Sequence, residues 1–211
     1  IVKIWKQIST LRHQVYAEEL GQYETNSEQK IDDPGHHFIA CIEEGELAGY
    51  ISLNPPSKQP FRIARYFSQD TLEQSVLSLC AQRLPSTYEV RALTVSPEFR
   101  GKNISLRLMR YALEFILKRG GTDVVGMGHK EVVGLYQKNG MTVFTEHGIT
   151  HGETVYFPMY LNVQKVAEEY AQRIALDIAN EQEEDVCYHG GKSWDTSGFD
   201  FKIRDELIVA D

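Results

Sequence analysis

The stretch VSPEFRGKNISLRLM, residues 95–109, runs from a predicted strand through a loop with one glycine into a long amphipathic helix. Free backbone amides at the start of such a helix form a site for phosphate groups. A close approach to phosphate usually requires glycine, but Asn103 belongs to the residue types that best tolerate a left-handed backbone. The stretch therefore predicts either a pyrophosphate-binding loop or a plain strand-to-helix connection.

The elements around this loop predict an α/β fold of the α+β type. Hydrophobic periodicity and turn residues separate helices from strands along the chain. The order is helix, hairpin, helix, strand, helix, strand, helix and a final strand pair, which predicts a mixed, mostly antiparallel central sheet with helices on both faces. The predicted elements are a helix in 10–21, strands 36–44 and 45–54, a helix at 70–84, a strand at 88–95, a helix from 104 to Gly120, a strand at 122–128, a helix at 131–140, and strands at 141–147 and 153–161.

The character of the chain changes after Leu161. Residues 1–161 are predicted to form one domain, and 162–211 a C-terminal helix with an irregular tail. The apolar residues of 163–185 form one stripe of a helix, which we expect to pack on this domain or on a second copy of the chain. The tail is expected to be a linker or the opening of a further module.

Composition excludes several classes of protein. A net charge of −8 argues against a general nucleic-acid binder, because phosphate binding needs a basic face. No run of eighteen or more apolar residues is present, so we expect no membrane span. Three widely separated cysteines form neither a disulfide framework nor a metal spacing. We expect a cytoplasmic protein without a metal.

The loop resembles a motif of the GNAT acyltransferase superfamily. That family carries Gln/Arg-x-x-Gly-x-Gly/Ala, and this chain has Arg100-Gly101-Lys102-Asn103-Ile104-Ser105. Asn replaces the first family glycine, and Ser replaces the second small residue. The resemblance implies that these six residues bind the pyrophosphate of coenzyme A.

A second motif lies in GHKEVVGLYQKNGM, residues 128–141. It is similar to the family pattern Asn-x-x-Ala-x-x-Leu-Tyr-x-Lys-x-Gly-Phe, with His129 and Met141 at its two ends. The resemblance implies that Tyr136 protonates the leaving thiolate of coenzyme A; the alternative is an aromatic residue packed between helix and sheet. His129 either binds the pantetheine arm or caps the short helix.

The strand 88–95 carries the third group of candidates. By period-two alternation, Glu89 is expected to share a face with Arg91, Leu93 and Val95. A carboxylate on an apolar strand is costly unless it is paired or used. The resemblance implies that Glu89 relays the proton of the attacking amine, and that Leu93, Thr94 and Val95 border the thioester, with a backbone amide near Val95 contacting its carbonyl. The alternative is an ion pair of Glu89 with Arg91 or Arg12.

A narrower resemblance covers the N-terminal half. Arg12, Tyr16 and the Asp32-Asp33 pair follow the layout of autoinducer synthases and long-chain N-acyl amino acid synthases. Ala92 stands where that group has arginine, and Ser52-Leu53 where it usually has Arg-Leu, so homoserine-lactone synthesis is not expected. The tail resembles the HGG…SWD lead-in of acyltransferases joined to aminotransferase-like domains, which would make this chain the front of a longer polypeptide.

Together these resemblances imply an acyl-coenzyme-A-dependent N-acyltransferase, with acetyl-coenzyme A or another acyl-coenzyme A as co-substrate. The acceptor is expected to be the amine of a small molecule or amino acid, acylated by direct transfer. One alternative keeps the reaction but takes the acyl chain from an acyl carrier protein, which would dock on basic residues of one helix. Another is a catalytically inactive ligand-sensing or scaffold domain, dimeric through the 162–185 helix. The basic residues are Lys102, Arg107, Arg110, Lys118 and Arg119.

Overall fold

The computed structural model describes residues 2–24, 37–58, 60–67, 86–167, 203–204 and 207–210. Backbone contacts divide the chain into two compact units. The first contains residues 1–53, 91–112 and 184–211, and the second contains 54–90 and 113–183.

The described chain contains both helices and strands. The helices are α1 (Val2–His13), which continues as a π-helical segment (Gln14–Glu19), α2 (Ile104–Lys118) and α3 (Val133–Lys138). The strands are β1 (His37–Glu43), β2 (Glu46–Asn54), β3 (Thr87–Val95), β4 (Asp123–His129), β5 (Thr142–Val143), β6 (Ile149–His151), β7 (Thr154–Asn162), β8 (Ile203–Arg204) and β9 (Leu207–Ala210). Short 3-10 turns occupy Pro56–Lys58, Arg62–Arg65 and Pro97–Phe99.

The first unit is built on the β1–β2 hairpin. Its turn places Glu44 and Gly45 at φ 52° and 82°, the pair of positive angles that a tight two-residue hairpin requires. Trp5 and Ile8 of α1 pack with Phe38 and Tyr50, so α1 covers one face of the hairpin. Each such buried side chain contributes about 1.5–3 kcal/mol by burial.

The opposite face of β2 lies against α2. Gly49 neighbours Tyr50 in the strand and therefore points the other way. A Cβ at Gly49 would lie 3.2 Å from Ile104 and 3.3 Å from Leu108 of α2, and 2.6 Å from the carbonyl oxygen of Thr94. Glycine here allows α2 and β3 to approach the strand closely. Helices thus flank both faces of this part of the sheet.

The second unit contains the start of β3. Residues Thr87–Val90 pair in parallel with the start of β4, and β4 pairs antiparallel with β7 along its whole length. The short strands β5 and β6 both pair with β7. Phe61, Ile63 and Phe67 pack against Val125 of β4, so the segment 60–67 covers that face.

The architecture confirms the predicted fold class: a mixed, mostly antiparallel open sheet flanked by helices. β3 continues into the first unit, where it adjoins β2. The predicted hairpin, the strand 88–95, the helix from 104 and the strand 122–128 all occur, with bounds shifted by a few residues.

Four details differ from the prediction or lie beyond it. The first helix begins at Val2, eight residues earlier than expected, and continues through the π-helical segment. The strand expected at 141–147 pairs only over Thr142–Val143, because the backbone then turns toward the additional strand β6. The helix expected at 70–84 lies outside the described residues, as does most of 163–185; residues 163–167 are helical.

The sequence predicted an irregular tail, but part of the tail forms a strand. Leu207–Ala210 pair antiparallel with Phe38–Cys41 of β1. An outer strand such as β1 leaves unpaired backbone groups, and the run LIVA can satisfy them. The boundary at residue 161 stays a prediction.

Candidate active site

The loop before α2 has the backbone that a glycine-rich loop would have. Gly101 and Asn103 adopt φ 83° and 61°, and the helix starts at the next residue, Ile104. The first intrahelical bond runs from the amide of Arg107 to the carbonyl of Asn103, so the preceding amides at this helix start have no intrahelical acceptor. Gly101, Lys102 and Asn103 are exposed. Asn103 takes the left-handed position expected of it.

The cations at this loop have partners in the first unit. Arg100 donates to Glu19 across 2.6 Å, with half of its side chain exposed. The Lys102 ammonium lies 4.7 Å from the centre of the Phe99 ring. Arg107, one of the expected carrier-docking residues, pairs with Glu43. Arg100 is therefore already paired with a carboxylate, whereas the side chain of Lys102 is exposed beside the helix start.

A backbone irregularity at Ala92 interrupts β3. Ala92 has φ 47°, a left-handed angle that alanine adopts only at a cost of about 1–2 kcal/mol. The Thr94 hydroxyl donates to the Ala92 carbonyl at 3.0 Å, and the Ser52 hydroxyl donates to the Arg91 carbonyl at 3.2 Å. Two neighbouring hydroxyls thus hold the distorted strand.

This irregularity corrects the expectation for β3. Period-two alternation requires an unbroken pleat, so Glu89 does not share a face with Leu93 and Val95 by alternation across Ala92. Leu93 and Val95 are half-buried and Thr94 is buried. No sequence signal indicated the distortion, because alanine at this position resembles any ordinary strand residue.

The first unit also contains a polar group that sequence reasoning did not assemble. We call Arg12, Tyr16, Tyr50, Arg91 and Thr94 the Arg12 cluster. The guanidinium of Arg12 lies 5.2 Å from the centre of the Tyr16 ring, and Tyr16 lies in the π-helical segment. Burial raises the pKa of Tyr16 and of Tyr50, while the neighbouring Arg12 and Thr94 side chains oppose the shift. Both hydroxyls therefore stay protonated and can donate hydrogen bonds.

In the second unit, Glu89 is enclosed by donors. Its side chain is 2% exposed. Oε2 accepts hydrogen bonds from Asn54 Nδ2 at 2.8 Å and from the amide of Arg62 at 3.1 Å, and Oε1 accepts from the amide of Ile63 at 2.7 Å. All three donors are neutral amides. They take the place of the ion pair with Arg12 or Arg91 that the sequence left as an alternative. We call this group the Glu89 cage.

The cage constrains what Glu89 can do. A carboxylate offers about four lone-pair sites, and three are occupied here, so Oε1 retains one for a water or an amine. The carboxylate also anchors the turn Arg62–Arg65, because two of its donors are amides at the start of that turn. Glu89 therefore has a structural role, with room for one additional contact.

Tyr136 and His129 lie at the end of β4 and on α3. A Cβ at Gly128 would lie 2.9 Å from the Tyr136 ring, so the ring packs directly on the strand. His129 makes an edge contact with Tyr156, with the ring centres 6.0 Å apart. Burial lowers the pKa of His129, and Glu131 partly opposes the shift.

The side chain of His129 does not cap α3. Its Nδ1 is buried without a hydrogen-bond partner among the described residues, and the N-cap residue of α3, Val132, has no side-chain cap. Only the backbone carbonyl of His129 contributes, by accepting from the amide of Val132. The capping alternative is therefore wrong, and Nδ1 is left with an unused capacity for a ligand.

Within the described ranges, no three His, Cys, Asp or Glu side chains are placed to hold a metal ion. No helix in the described part of the chain is long and apolar enough to cross a membrane.

A family profile described as the acetyltransferase (GNAT) family matches residues 3–141. The chain belongs to this family. The matched span contains the loop before α2, Glu89 and Tyr136, so the GNAT resemblance of the two motifs is confirmed at the level of the family. No curated protein sequence matches significantly.

Solved structures show the same GNAT fold. One similar structure is a coenzyme-A-dependent acyl-homoserine lactone synthase, BjaI, with SAM and isopentyl-CoA: TM-score 0.57, 17% identity, 82% of each chain covered. A second similar structure is an acyl-CoA N-acyltransferase from Pseudomonas aeruginosa, with a TM-score of 0.55 and 14% sequence identity; the match covers 76% of this chain and 91% of that chain. A third is an aminoglycoside 6'-N-acetyltransferase complexed with coenzyme A, with a TM-score of 0.51 and 16% sequence identity; the match covers 75% of this chain and 89% of that chain. At these identities the likeness concerns the fold.

Proposed function

We propose that this protein is an acyl-coenzyme-A-dependent N-acyltransferase that transfers an acyl group, in the first instance acetyl, to the amine of a small molecule or amino acid. The observation that carries the proposal is the loop before α2. Gly101 and Asn103 take left-handed angles immediately before a fifteen-residue helix whose first amides have no intrahelical acceptor. That backbone suits a pyrophosphate even though a family glycine is missing.

The residues that would hold coenzyme A are those of the loop, of β3 and of the end of β4. The amides of 101 and 103–105 and the cations of Arg100 and Lys102 would take the pyrophosphate, while the amide of Lys102 donates to the Phe99 carbonyl. Leu93, Thr94 and Val95 would border the thioester, with a strand amide donating to its carbonyl oxygen. His129 would contact the pantetheine arm through Nδ1, which is buried and has no partner among the described residues.

The reaction is a direct transfer. The amine nitrogen forms a bond to the thioester carbon, and the carbon–sulfur bond breaks. The amine passes a proton to a water held by the remaining lone pair of Glu89 Oε1, and that water passes it on to solvent. The departing thiolate takes a proton from Tyr136, whose phenolate recovers a proton from solvent before the next turnover. Since three neutral donors orient Glu89, we assign it the positioning of that water and no direct contact with the acceptor.

The proposal is tested by coenzyme A thiol release from acetyl-coenzyme A across a panel of primary amines and amino acids. Tyr136→Phe should lower kcat about 100-fold, within the range for loss of a general acid, and leave coenzyme A affinity nearly unchanged. Tyr160→Phe is the matched control, because it removes a hydroxyl that bonds Asp123 in the same unit. Equal turnover in Tyr136→Phe would remove the assigned role.

Two alternatives are separated by the donor. An acyl carrier protein carrying the same acyl chain should be a poor donor under this proposal, and Arg107 pairs with Glu43 and is less available to dock such a carrier. A ligand-sensing domain is favoured if Glu89 serves only to anchor the turn Arg62–Arg65 and takes no part in a reaction. Such a domain would bind coenzyme A without turning over any amine.

A further inference from the structure

The Arg12 cluster brings cations and hydroxyls to one place inside the first unit. Arg12 lies at the end of α1, Tyr50 lies on β2, and Arg91 and Thr94 lie on β3. Tyr50 and Thr94 are buried, at 1% and 2% exposure, whereas Arg12, Tyr16 and Arg91 are half-buried. The cluster therefore combines enclosed side chains with side chains that are partly exposed to solvent.

Two polar atoms of this cluster lack partners. Nε of Arg12 and the hydroxyl of Tyr50 are buried and make no hydrogen bond of normal geometry within the described part of the chain. The Arg12 and Thr94 side chains lie near the Tyr50 hydroxyl and lower its pKa against the effect of burial. More than nine tenths of buried polar groups in proteins are hydrogen-bonded, and each exception is costly. Two such atoms around one guanidinium indicate a place that something else completes.

The charge of Arg12 has no counter-charge among the described residues. The cations that influence the Tyr16 and Tyr50 hydroxyls are Arg12 and Arg91, and no carboxylate is among the groups that shift their pKa values. Arg12 forms no ion pair within the described part of the chain, unlike Arg100 and Arg107, which have Glu19 and Glu43. A half-buried guanidinium without a counter-charge favours an anionic ligand.

The chemistry of the donors favours a carboxylate. A guanidinium is a planar fork that matches the two oxygens of a carboxylate, and a tyrosine hydroxyl adds one neutral donor at a fixed position. The pyrophosphate of the co-substrate is already assigned to the loop before α2. A carboxylate at Arg12 would then come from the acceptor, because the remaining anionic group of the co-substrate is a phosphate.

We propose that the Arg12 cluster binds the carboxylate of the acceptor, so that the substrate is an amino acid or a related amino-carboxylic acid. This inference rests on the proposed function, because only an acyltransferase would use the bound carboxylic acid as an acceptor. The binding of a carboxylate by Arg12 can be measured without turnover.

The test compares L-amino acids with the corresponding amino acid amides, which keep the amine and lose the charge. Each is assayed for coenzyme A thiol release with acetyl-coenzyme A and, separately, for binding by calorimetry. The protein is the full chain, as wild type, Arg12→Ala, Arg12→Lys and Lys6→Ala. Lys6 is an exposed cation on the same helix and serves as the matched control. Coenzyme A is titrated against every variant.

At least one acid should bind and be acetylated, with kcat/KM roughly 10- to 100-fold above its amide, the range for a hydrogen bond to a charged group. Arg12→Ala should abolish that preference by lowering kcat/KM for the acid and leaving the amide and coenzyme A binding unchanged. Arg12→Lys should restore part of it, and Lys6→Ala should behave as wild type.

The inference is overturned if acids and amides behave alike, if Arg12→Ala retains the preference, or if no acid binds. These outcomes are distinguishable from failure of the proposed function. Binding of coenzyme A with no effect of Arg12 refutes the inference alone. Arg12-dependent binding of an acid without coenzyme A binding or turnover refutes the transferase and keeps the carboxylate site.

Discussion

The Glu89 cage and the Arg12 cluster are two polar groups, the first buried and the second partly exposed, that are built in opposite ways. Around Glu89, three donors meet the carboxylate at 2.7–3.1 Å. Around Arg12, the cation has no described carboxylate, and the Tyr50 hydroxyl has no hydrogen bond. The first group completes itself within the chain. The second lacks a counter-charge and a hydrogen-bond partner within the described residues, and a bound ligand could supply both.

The sequence alone made Glu89 the stronger functional candidate, whereas the structure favours the Arg12 cluster as the ligand site. Glu89 attracted attention because a carboxylate on a strand is expensive, yet the structure shows that its cost is offset by neutral donors. Arg12 was noted through a narrower family likeness and as a possible ion-pair partner of Glu89, Tyr16 only through that likeness, and Tyr50 gave no signal in the sequence.

Substitution of Glu89 should have the largest effect on stability. Glu89→Gln replaces one acceptor oxygen by a donor facing the amides of the cage, leaving buried donors unsatisfied. We expect the free energy of unfolding to fall by about 2–4 kcal/mol. Urea denaturation measures it, with Glu98→Gln, an exposed carboxylate, expected within about 0.5 kcal/mol of wild type. A loss below about 1 kcal/mol for Glu89→Gln would mean that the cage is not structural.

Asn103 tests the loop before α2. Its φ of 61° is tolerated by asparagine and glycine but strained for a β-branched residue. Asn103→Val should cost about 1–2 kcal/mol and weaken coenzyme A binding, whereas Asn103→Gly should keep both properties. The pair is measured by denaturation and calorimetry. If valine were as good as glycine, the left-handed angle would not matter to the loop.

His129 supplies a pH-dependent test. Burial lowers its pKa in the folded protein below the ordinary 6.5, so the unfolded chain binds more protons as pH falls through that value. The stability of the wild type is therefore retained above pH 6.5 and falls below it. In His129→Asn that part of the pH dependence should vanish, which urea midpoints at pH 7.5 and 5.5 would reveal. Identical pH profiles for both proteins would refute the burial of this ring.

The smallest effect is expected at Tyr50. Because its hydroxyl makes no hydrogen bond in the described structure, Tyr50→Phe should change stability by less than about 0.5 kcal/mol, or stabilise the protein. Thermal unfolding measures this against Tyr160→Phe, which loses the contact with Asp123 and should be destabilised. A cost above about 1.5 kcal/mol at Tyr50 would show that the Arg12 cluster is already complete.

Local signals predicted much of the fold. The Glu44-Gly45 turn and the Asn103 loop follow from the backbone angles that these residue types allow, and both were found as expected. Apolar periodicity was sufficient for β2 and α2. These features depend on neighbours in the sequence, which is why reading the sequence could reach them.

Features that depend on distant contacts were missed. The left-handed Ala92 is stabilised by hydroxyl groups around it, and nothing in YEVRALTV indicates it. The cage around Glu89 uses Asn54 and the amides of Arg62 and Ile63, which are about thirty residues away in sequence. The pairing of Leu207–Ala210 with β1 closes an even longer separation.

The central claim is that the loop before α2 binds the pyrophosphate of coenzyme A. Calorimetric titration of coenzyme A into the wild type and into Arg100→Ala/Lys102→Ala tests it most directly, with Lys6→Ala/Lys58→Ala as a control of equal charge. We predict saturable binding to the wild type and the control, weakened at least about 10-fold in the loop variant. No binding to the wild type, or equal affinity for all three proteins, would contradict the account.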